Sequence, residues 1–178
     1  RENVYKAISA EAGTKHGFNC SAVVYDEIHA AKNAELWDVL STSVASRRQP
    51  LVIAITTAGH DMNSICRNLH EYAIKVQTGK VLDDSFLPVV YAADRSDDWR
   101  KESTWKKANP GYGTICKADY FKQEVLKCQA NPRLINTFLR LHLNIWTHAE
   151  VRWVTDEEFM RGSADFTDAD IAGLPLYV

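Results

Sequence analysis

The sequence lacks the glycine-rich loop that cradles nucleotide phosphates. A Walker A loop follows the pattern G-x-x-x-x-G-K-[ST], and Gly79 is the only one of the eight glycines with a lysine after it. Val81 then stands where the pattern requires serine or threonine. These 178 residues therefore contain no phosphate cradle of this type.

Three other features are scarce or missing. The four cysteines form no C-x-x-C pair, which argues against a zinc ribbon or a dense disulfide framework and favours reduced thiols. No apolar run approaches the roughly 20 residues that span a bilayer, so we expect no membrane partner. The net charge of −2 provides no global basic field, so DNA contact would need a local patch.

The first half of the chain has the pattern of an α/β domain. Apolar runs at 21–25 and 50–58 predict buried strands, and the helical spacing at 31–47 predicts a helix between them. Such a unit joins two parallel strands by a right-handed crossover. A helix is predicted over 62–79, and a third strand, with Pro88 at an edge or bulge, over 85–94.

The texture changes to helices after residue 94. A short helix is predicted within 97–110, and amphipathic helices over 117–131 and 132–146. A further helical spacing covers residues 2–12. The tryptophans are expected to pack in the core rather than to stack on bases: Trp99, Trp105, Trp146 and Trp153. Solvated faces are expected for five basic residues, with a DNA path as the alternative: Lys106, Lys107, Arg133, Arg140 and Arg152.

Two adjacent acids end the first apolar strand, in "VVYDEIHA". The carboxyl end of a buried parallel strand holds side chains firmly where ligands bind. Asp26 could contribute to the shell of Mg²⁺ through a water, and Glu27, pointing the other way along an alternating strand, could act as general base. This is the Walker B pattern of ATP-hydrolysing motors. The alternative is a strand that simply ends in solvated acids.

A pair of small hydroxyl residues ends the next strand, in "AITTAG". In P-loop motors a small polar residue at this tip contacts the γ-phosphate or the attacking water. Thr56 and Thr57 have the right character because a hydroxyl both donates and accepts with little bulk. A turn that merely caps the strand is the alternative interpretation.

A longer ordered series of motifs carries a more specific resemblance. The stretches "VVYDEIHA", "ELWDVLSTSVASRRQPLVIAITTAGHD", "DDSFLPVVYAADRSDDWRKESTWKKANPGYG" and "NTFLRLHLNIWTHAEVRWV" closely resemble the large terminase subunit of tailed double-stranded DNA bacteriophages. These subunits are ATP-driven motors with a P-loop ATPase domain, a helical linker and an RNase H-like nuclease. "DEIH" also matches the DExH box of helicases, which stays open as an alternative, as does a non-enzymatic interaction fragment.

The resemblance implies a domain division and a set of roles. Residues 1–94 would be the later part of a P-loop, RecA-like ATPase domain, 95–165 a helical linker region, and 166–178 the start of a truncated nuclease domain. Asp26 would be the metal-site residue, Glu27 the catalytic residue, and Thr56 and Thr57 the coupling motif. Asp165, Asp168 and Asp170 are expected to form a solvated acidic loop and not to be nuclease acids.

The resemblance also implies cofactors and partners. ATP and Mg²⁺ would serve the full-length protein, while the isolated chain is expected to be inactive because it lacks the cradle. Expected partners are double-stranded DNA, the portal protein, the small terminase subunit and sister copies in a ring. The expected location is the host cytoplasm, transiently at the procapsid portal. Lys15, Arg47 and Arg48 are open candidates for an arginine finger, although a solvated helix end is the plainer reading of the two arginines.

Overall fold

The computed structural model describes residues 4–8, 17–148 and 156–162. Their main elements, in chain order, are β1 (Ala22–Asp26), α1 (Glu35–Thr42), β2 (Leu51–Ile55), α2 (Ile65–Gln77), α3 (Glu102–Ala108), α4 (Ala118–Ala130), α5 (Ile135–Leu143) and α6 (Asp156–Arg161). Short 3₁₀ turns follow β1, at Ile28–Ala30, and precede α5, at Pro132–Leu134.

Strands β1 and β2 pair in parallel, as the sequence predicts. The register runs from Ala22 opposite Leu51 to Asp26 opposite Ile55, and α1 forms the crossover between the strands. One face of this sheet packs on α1 through Val23 and Leu36, together with Leu40 and Val44. The predicted α/β architecture with a parallel sheet is thus confirmed.

The opposite face of the sheet is exposed. Alternation along the strands places Val24, Leu51, Ile53 and Ile55 on it, and all four are exposed. Asp26 shares their parity and lies at the end of the same face. Parallel sheets are normally covered on both faces, so this apolar surface has the composition of an internal layer.

Two predicted elements are wrong. The segment 85–94 forms no strand; the Ala93 backbone amide donates to the Leu143 carbonyl at 3.0 Å, and the Asn144 side-chain Nδ2 donates to the Tyr91 carbonyl at 2.8 Å. These hydrogen bonds tie the backbone at Tyr91 and Ala93 to the end of α5. Pro88 has no N–H to donate to a neighbouring strand. Residues 4–8 of the predicted 2–12 helix are not helical, and the rest of that range is outside the described residues.

Helices α3, α4 and α5 share a second core. Trp105, Phe121, Phe138 and Leu143 are buried there, with the Trp105 and Phe121 rings stacked at a centroid distance of 5.5 Å. Trp99 packs against this core, so packing is confirmed for these tryptophans, whereas Trp153 lies outside the described residues. Burial lowers the pKa of His142, whose ring packs against Phe138 at 5.1 Å.

The helix ends follow simple capping chemistry. The Ser64 hydroxyl accepts the Arg67 amide at the start of α2, and Gly79, with φ of 71°, follows its end as predicted. Asn131 caps the turn that carries Pro132 into α5. None of the helices in the described part of the chain is long and apolar enough to cross a membrane.

Candidate active site

The carboxyl ends of β1 and β2 bring the predicted site residues together. Because Asp26 lies opposite Ile55, the residues that follow, Glu27 and Thr56, emerge at the same edge of the sheet. Thr57 comes next on the second chain segment. The parallel register therefore produces the juxtaposition of acids and hydroxyls that the two sequence motifs predict.

Glu27 does not continue the strand alternation, and that part of the prediction is wrong. It has φ of 54° and ψ of 44°, the left-handed conformation that costs about 1–2 kcal/mol for a residue with a side chain. Its amide donates to the Asp26 Oδ1 at 2.9 Å, and its carbonyl accepts from the Ala30 amide at 2.9 Å. This sharp turn lets Ile28, 1% exposed, enter the core.

His29 joins the two strand ends. Its Nδ1 lies 2.9 Å from Glu27 Oε2 and 3.1 Å from Thr56 Oγ1. The Thr57 hydroxyl is 3.5 Å from the same nitrogen, and the His29 amide donates to Thr56 Oγ1 at 3.1 Å. The sequence singles out His29 only as the last letter of "DEIH"; its position between the acid and the two threonines depends on the tertiary structure.

The Thr56 hydroxyl has several hydrogen-bond partners. It donates to the Thr57 carbonyl at 2.9 Å while accepting from the His29 amide. The Cys66 thiol approaches it at 3.8 Å from α2. Burial raises the pKa of Cys66, an effect that the hydrogen bond to Thr56 partly opposes, so the thiol stays protonated and serves as a donor.

The donor set at this edge suits Mg²⁺. One Asp26 oxygen accepts the Glu27 amide, which leaves the exposed carboxylate its second oxygen, and the neighbouring donors are hydroxyls. Within the described ranges no three His, Cys, Asp or Glu side chains gather as a closed metal site. Mg²⁺ in nucleotide sites usually takes one or two carboxylates and completes its shell with phosphates and water. Asp26 therefore fits an open Mg²⁺ site of that kind, which its carboxylate would contact through a water.

The segment after Thr57 is seated on the helical part of the chain. Trp146 packs with Ile28, Ala58 and Cys66 in a third buried cluster. The Thr147 amide donates to the Gly59 carbonyl at 3.4 Å. The loop between Thr57 and His60 is thus the place where the sheet edge contacts the helical region.

Arg140 takes part in this contact, which corrects its predicted position on a solvated face. It is 7% exposed, and its Nη1 lies 3.0 Å from His60 Nδ1. The amphipathic spacing of α5 could indicate which face of the helix is buried. It could not indicate the contact with His60, which is distant in sequence. A buried basic residue at this junction is a feature that sequence reasoning missed.

The other basic candidates lie on the surface or outside the described residues. Lys106 pairs with Glu102 at 2.8 Å and Lys107 with Asp97 at 2.7 Å, while Arg133 is exposed. Arg152 and Lys15 lie outside the described residues.

The two arginine candidates for a finger lie at the end of the sheet opposite to Glu27. The Arg47 guanidinium donates to the Asn19 carbonyl, and Arg48 is exposed. Both precede β2 and so lie at the amino edge of the sheet, opposite the acids. Neither arginine can therefore reach a nucleotide bound beside Glu27 of its own chain in this arrangement.

Replacing Gly59 with alanine tests how tightly the loop is held. An added Cβ would meet the Trp146 ring at 3.0 Å, so the ring or the loop must shift, and we expect a loss of about 1–3 kcal/mol in the free energy of unfolding. Urea unfolding of Gly59→Ala, Trp146→Leu and the double variant measures the coupling. If the alanine costs as much without the ring as with it, the close approach is not the cause.

Family models and individual relatives agree on one group of proteins. A model described as terminase large subunit, ATPase domain, matches residues 1–75. A second, described as terminase large subunit, endonuclease domain, matches residues 80–178. The chain is 33% identical to Protein YmfN of Escherichia coli (strain K12) over 133 residues, which are 75% of this chain and 29% of that protein.

The phage relative is similar in both sequence and structure. The terminase large subunit of Enterobacteria phage HK97 is 28% identical over 142 residues, 79% of this chain and 27% of that protein. The crystal structure of the HK97 bacteriophage large terminase superimposes with a TM-score of 0.68, covering 80% of this chain and 29% of that one. The chain thus spans under a third of the length of these relatives. The helicase alternative finds no support among these matches.

Proposed function

Because this chain belongs to the terminase large subunit family, we propose that it is part of the ATP-driven motor that translocates viral DNA into a phage capsid. One observation carries the proposal at the level of residues. The parallel register sets Asp26 opposite Ile55, which brings Glu27 and Thr56 to one edge of the sheet. Acids and hydroxyls at the carboxyl edge of parallel strands are suited to a nucleotide.

We propose separate roles for the four residues. Asp26 holds the Mg²⁺ shell through a water, and Glu27 activates the attacking water as general base. When bound, Mg²⁺ neutralises the phosphate charge that grows during phosphoryl transfer. Thr56 and Thr57 contact the γ-phosphate or the water and relay its presence along their loop. The contact of that loop with Trp146 supports a relay toward the helical region.

The proposed domain division follows the two cores. Residues 1–94 form the later part of the ATPase domain, 95–165 a helical linker region, and 166–178 the start of the nuclease domain. The sheet with α1 and the helices α3–α5 each have a buried cluster of their own, which supports a change of architecture near residue 94. The endonuclease model begins its match earlier, at residue 80, and so also covers the helical region.

The remainder of the ATPase domain supplies the missing phosphate cradle in this proposal. The exposed apolar face of β1 and β2 is a surface on which further helices would pack. The isolated 178-residue chain should accordingly neither bind ATP tightly nor hydrolyse it.

The working motor requires several partners. We propose double-stranded DNA, the portal protein, the small terminase subunit and sister copies arranged in a ring. The place of action is the host cytoplasm, transiently at the procapsid portal. A finger from a neighbouring copy fits a ring, since Arg47 and Arg48 lie at the opposite edge of the sheet from Glu27 in their own chain.

Asp26→Asn in the full-length protein tests the proposed metal role. Loss of one carboxylate charge should raise the Mg²⁺ concentration for half-maximal ATP turnover by about 10–100-fold. Asp38→Asn, on the exposed surface of α1, is the matched control and should leave the Mg²⁺ requirement unchanged. An unaltered Mg²⁺ titration for Asp26→Asn would remove the metal site from this edge of the sheet.

A further inference from the structure

We propose that His29 is a positioning residue whose Nδ1–H holds the Glu27 carboxylate. When Glu27 rotates toward the attacking water, the same N–H bonds the Thr56 and Thr57 hydroxyls instead. The proposal rests on the proposed function, in which Glu27 is the general base. It assigns to the imidazole the link between the catalytic acid and the coupling threonines. The juxtaposition of three oxygens around one nitrogen carries it.

The neighbours of the His29 ring determine which of its two nitrogens carries the hydrogen. An ionised Glu27 carboxylate only accepts, and it lies 2.9 Å from Nδ1, so Nδ1 carries the hydrogen. The same N–H is 3.1 Å from Thr56 Oγ1 and 3.5 Å from Thr57 Oγ1. A single N–H cannot be well aligned with three acceptors at once. The three oxygens therefore compete for it.

The backbone that carries the imidazole is anchored, and the imidazole is less exposed than the Glu27 carboxylate. The His29 amide is anchored to Thr56 Oγ1 at 3.1 Å, and the preceding Ile28 is buried in the core. The His29 side chain is 20% exposed and that of Glu27 is 59% exposed. Rotation of Glu27 toward a nucleotide is thus the change that needs the fewest broken contacts. No proton is transferred in this step; one acceptor replaces another on Nδ1–H.

The exchange has a route to the rest of the chain. Releasing Glu27 turns Nδ1–H fully to the threonine hydroxyls, and Thr56 also bonds the Thr57 carbonyl at 2.9 Å. The next residues, Ala58 and Gly59, contact Trp146. A change of partner at His29 therefore acts on the loop that is seated against the helical region.

The experiment compares three variants of the full-length protein. Asparagine places an amide near the position of Nδ1, glutamine places it one bond farther out, and alanine removes the donor. We expect His29→Ala and His29→Gln to lower kcat by roughly 100-fold, the effect of a misplaced catalytic group, with little change in KM for ATP. His29→Asn should recover kcat to within a few-fold of wild type.

A binding measurement supplies a readout that does not depend on turnover. A non-hydrolysable ATP analogue should change the affinity of the wild-type protein for duplex DNA by about 5–150-fold, the usual size of such coupling. The ratio of DNA Kd values with and without the analogue should fall toward one in His29→Ala and persist in His29→Asn. Thermal unfolding of all variants shows whether folding is affected, and the asparagine and glutamine pair remains informative if alanine unfolds.

Two results would overturn the role of His29. One is wild-type kcat and coupling in His29→Ala, and the other is equal recovery by asparagine and glutamine, which would mean that the position of Nδ1 does not matter. Failure of the proposed function has a separate sign: Glu27→Gln would retain full turnover, whatever the His29 variants do.

Discussion

Glu27→Gln in the full-length protein is expected to lower DNA-stimulated ATP turnover by about 10²–10⁴-fold, the range that general base catalysis contributes. Glutamine keeps the shape and the hydrogen-bonding reach of the side chain but cannot accept a proton from water. The exposed carboxylate lies at the carboxyl edge of the sheet beside Thr56. Steady-state turnover and the Kd of a non-hydrolysable ATP analogue are the measurements, and the Kd should change little.

The matched control is Glu35→Gln in the first turn of α1. It makes the same chemical change at an exposed acid outside the hydrogen-bonded group of Glu27, His29 and Thr56, and it should retain wild-type turnover. Equal turnover in wild type and Glu27→Gln would make Glu27 a surface acid at a turn. A loss of analogue binding together with turnover would instead indicate that the carboxylate holds the site together.

Phe121→Ala is expected to lower the free energy of unfolding by about 3–5 kcal/mol, the cost of removing a buried phenyl ring from a packed core. Phe121 is 2% exposed, and its ring stacks on Trp105 at 5.5 Å and meets Tyr112 at 5.6 Å and Phe138 at 6.4 Å. Its removal leaves a cavity among three helices. Urea unfolding followed by tryptophan fluorescence measures the loss, because Trp105 reports on this cluster.

Leu126→Ala on the same helix serves as the control. Leu126 is 63% exposed, so its truncation should change the free energy of unfolding by no more than about 0.5 kcal/mol. If both variants lose the same small amount, the aromatic cluster does not stabilise the helical region as its packing indicates. A large loss of stability in Phe121→Ala alone would show that the helical region depends on this core.

The turn at Glu27 shows a limit of pattern reasoning. Strand alternation predicts a side chain opposite to Asp26, yet Glu27 adopts the left-handed conformation and leaves the strand. Nothing in "YDEIHA" signals this change by itself. Burial of Ile28 against Ala58 and Cys66 from other elements drives the turn, and the energy for it comes from contacts between segments distant in sequence.

The segment 85–94 shows a second limit. Its apolar composition is typical of a strand, and an isolated segment of this kind would be predicted as one. A strand needs a partner, however, and here the end of α5 takes the backbone groups of Tyr91 and Ala93. Strand pairing depends on the tertiary structure because the groups that compete for these hydrogen bonds come from different parts of the chain.

Sequence patterns alone predict the two parallel strands, the helices between residues 35 and 143, and the meeting of Asp26, Glu27, Thr56 and Thr57 at one edge. Apolar periodicity is local, and parallel strands joined by a crossover must end on the same side. Tertiary packing places His29 between the acid and the threonines, buries Arg140 against His60, and brings Gly59 close to Trp146. These contacts join segments far apart in the chain, and their geometry depends on how whole layers pack.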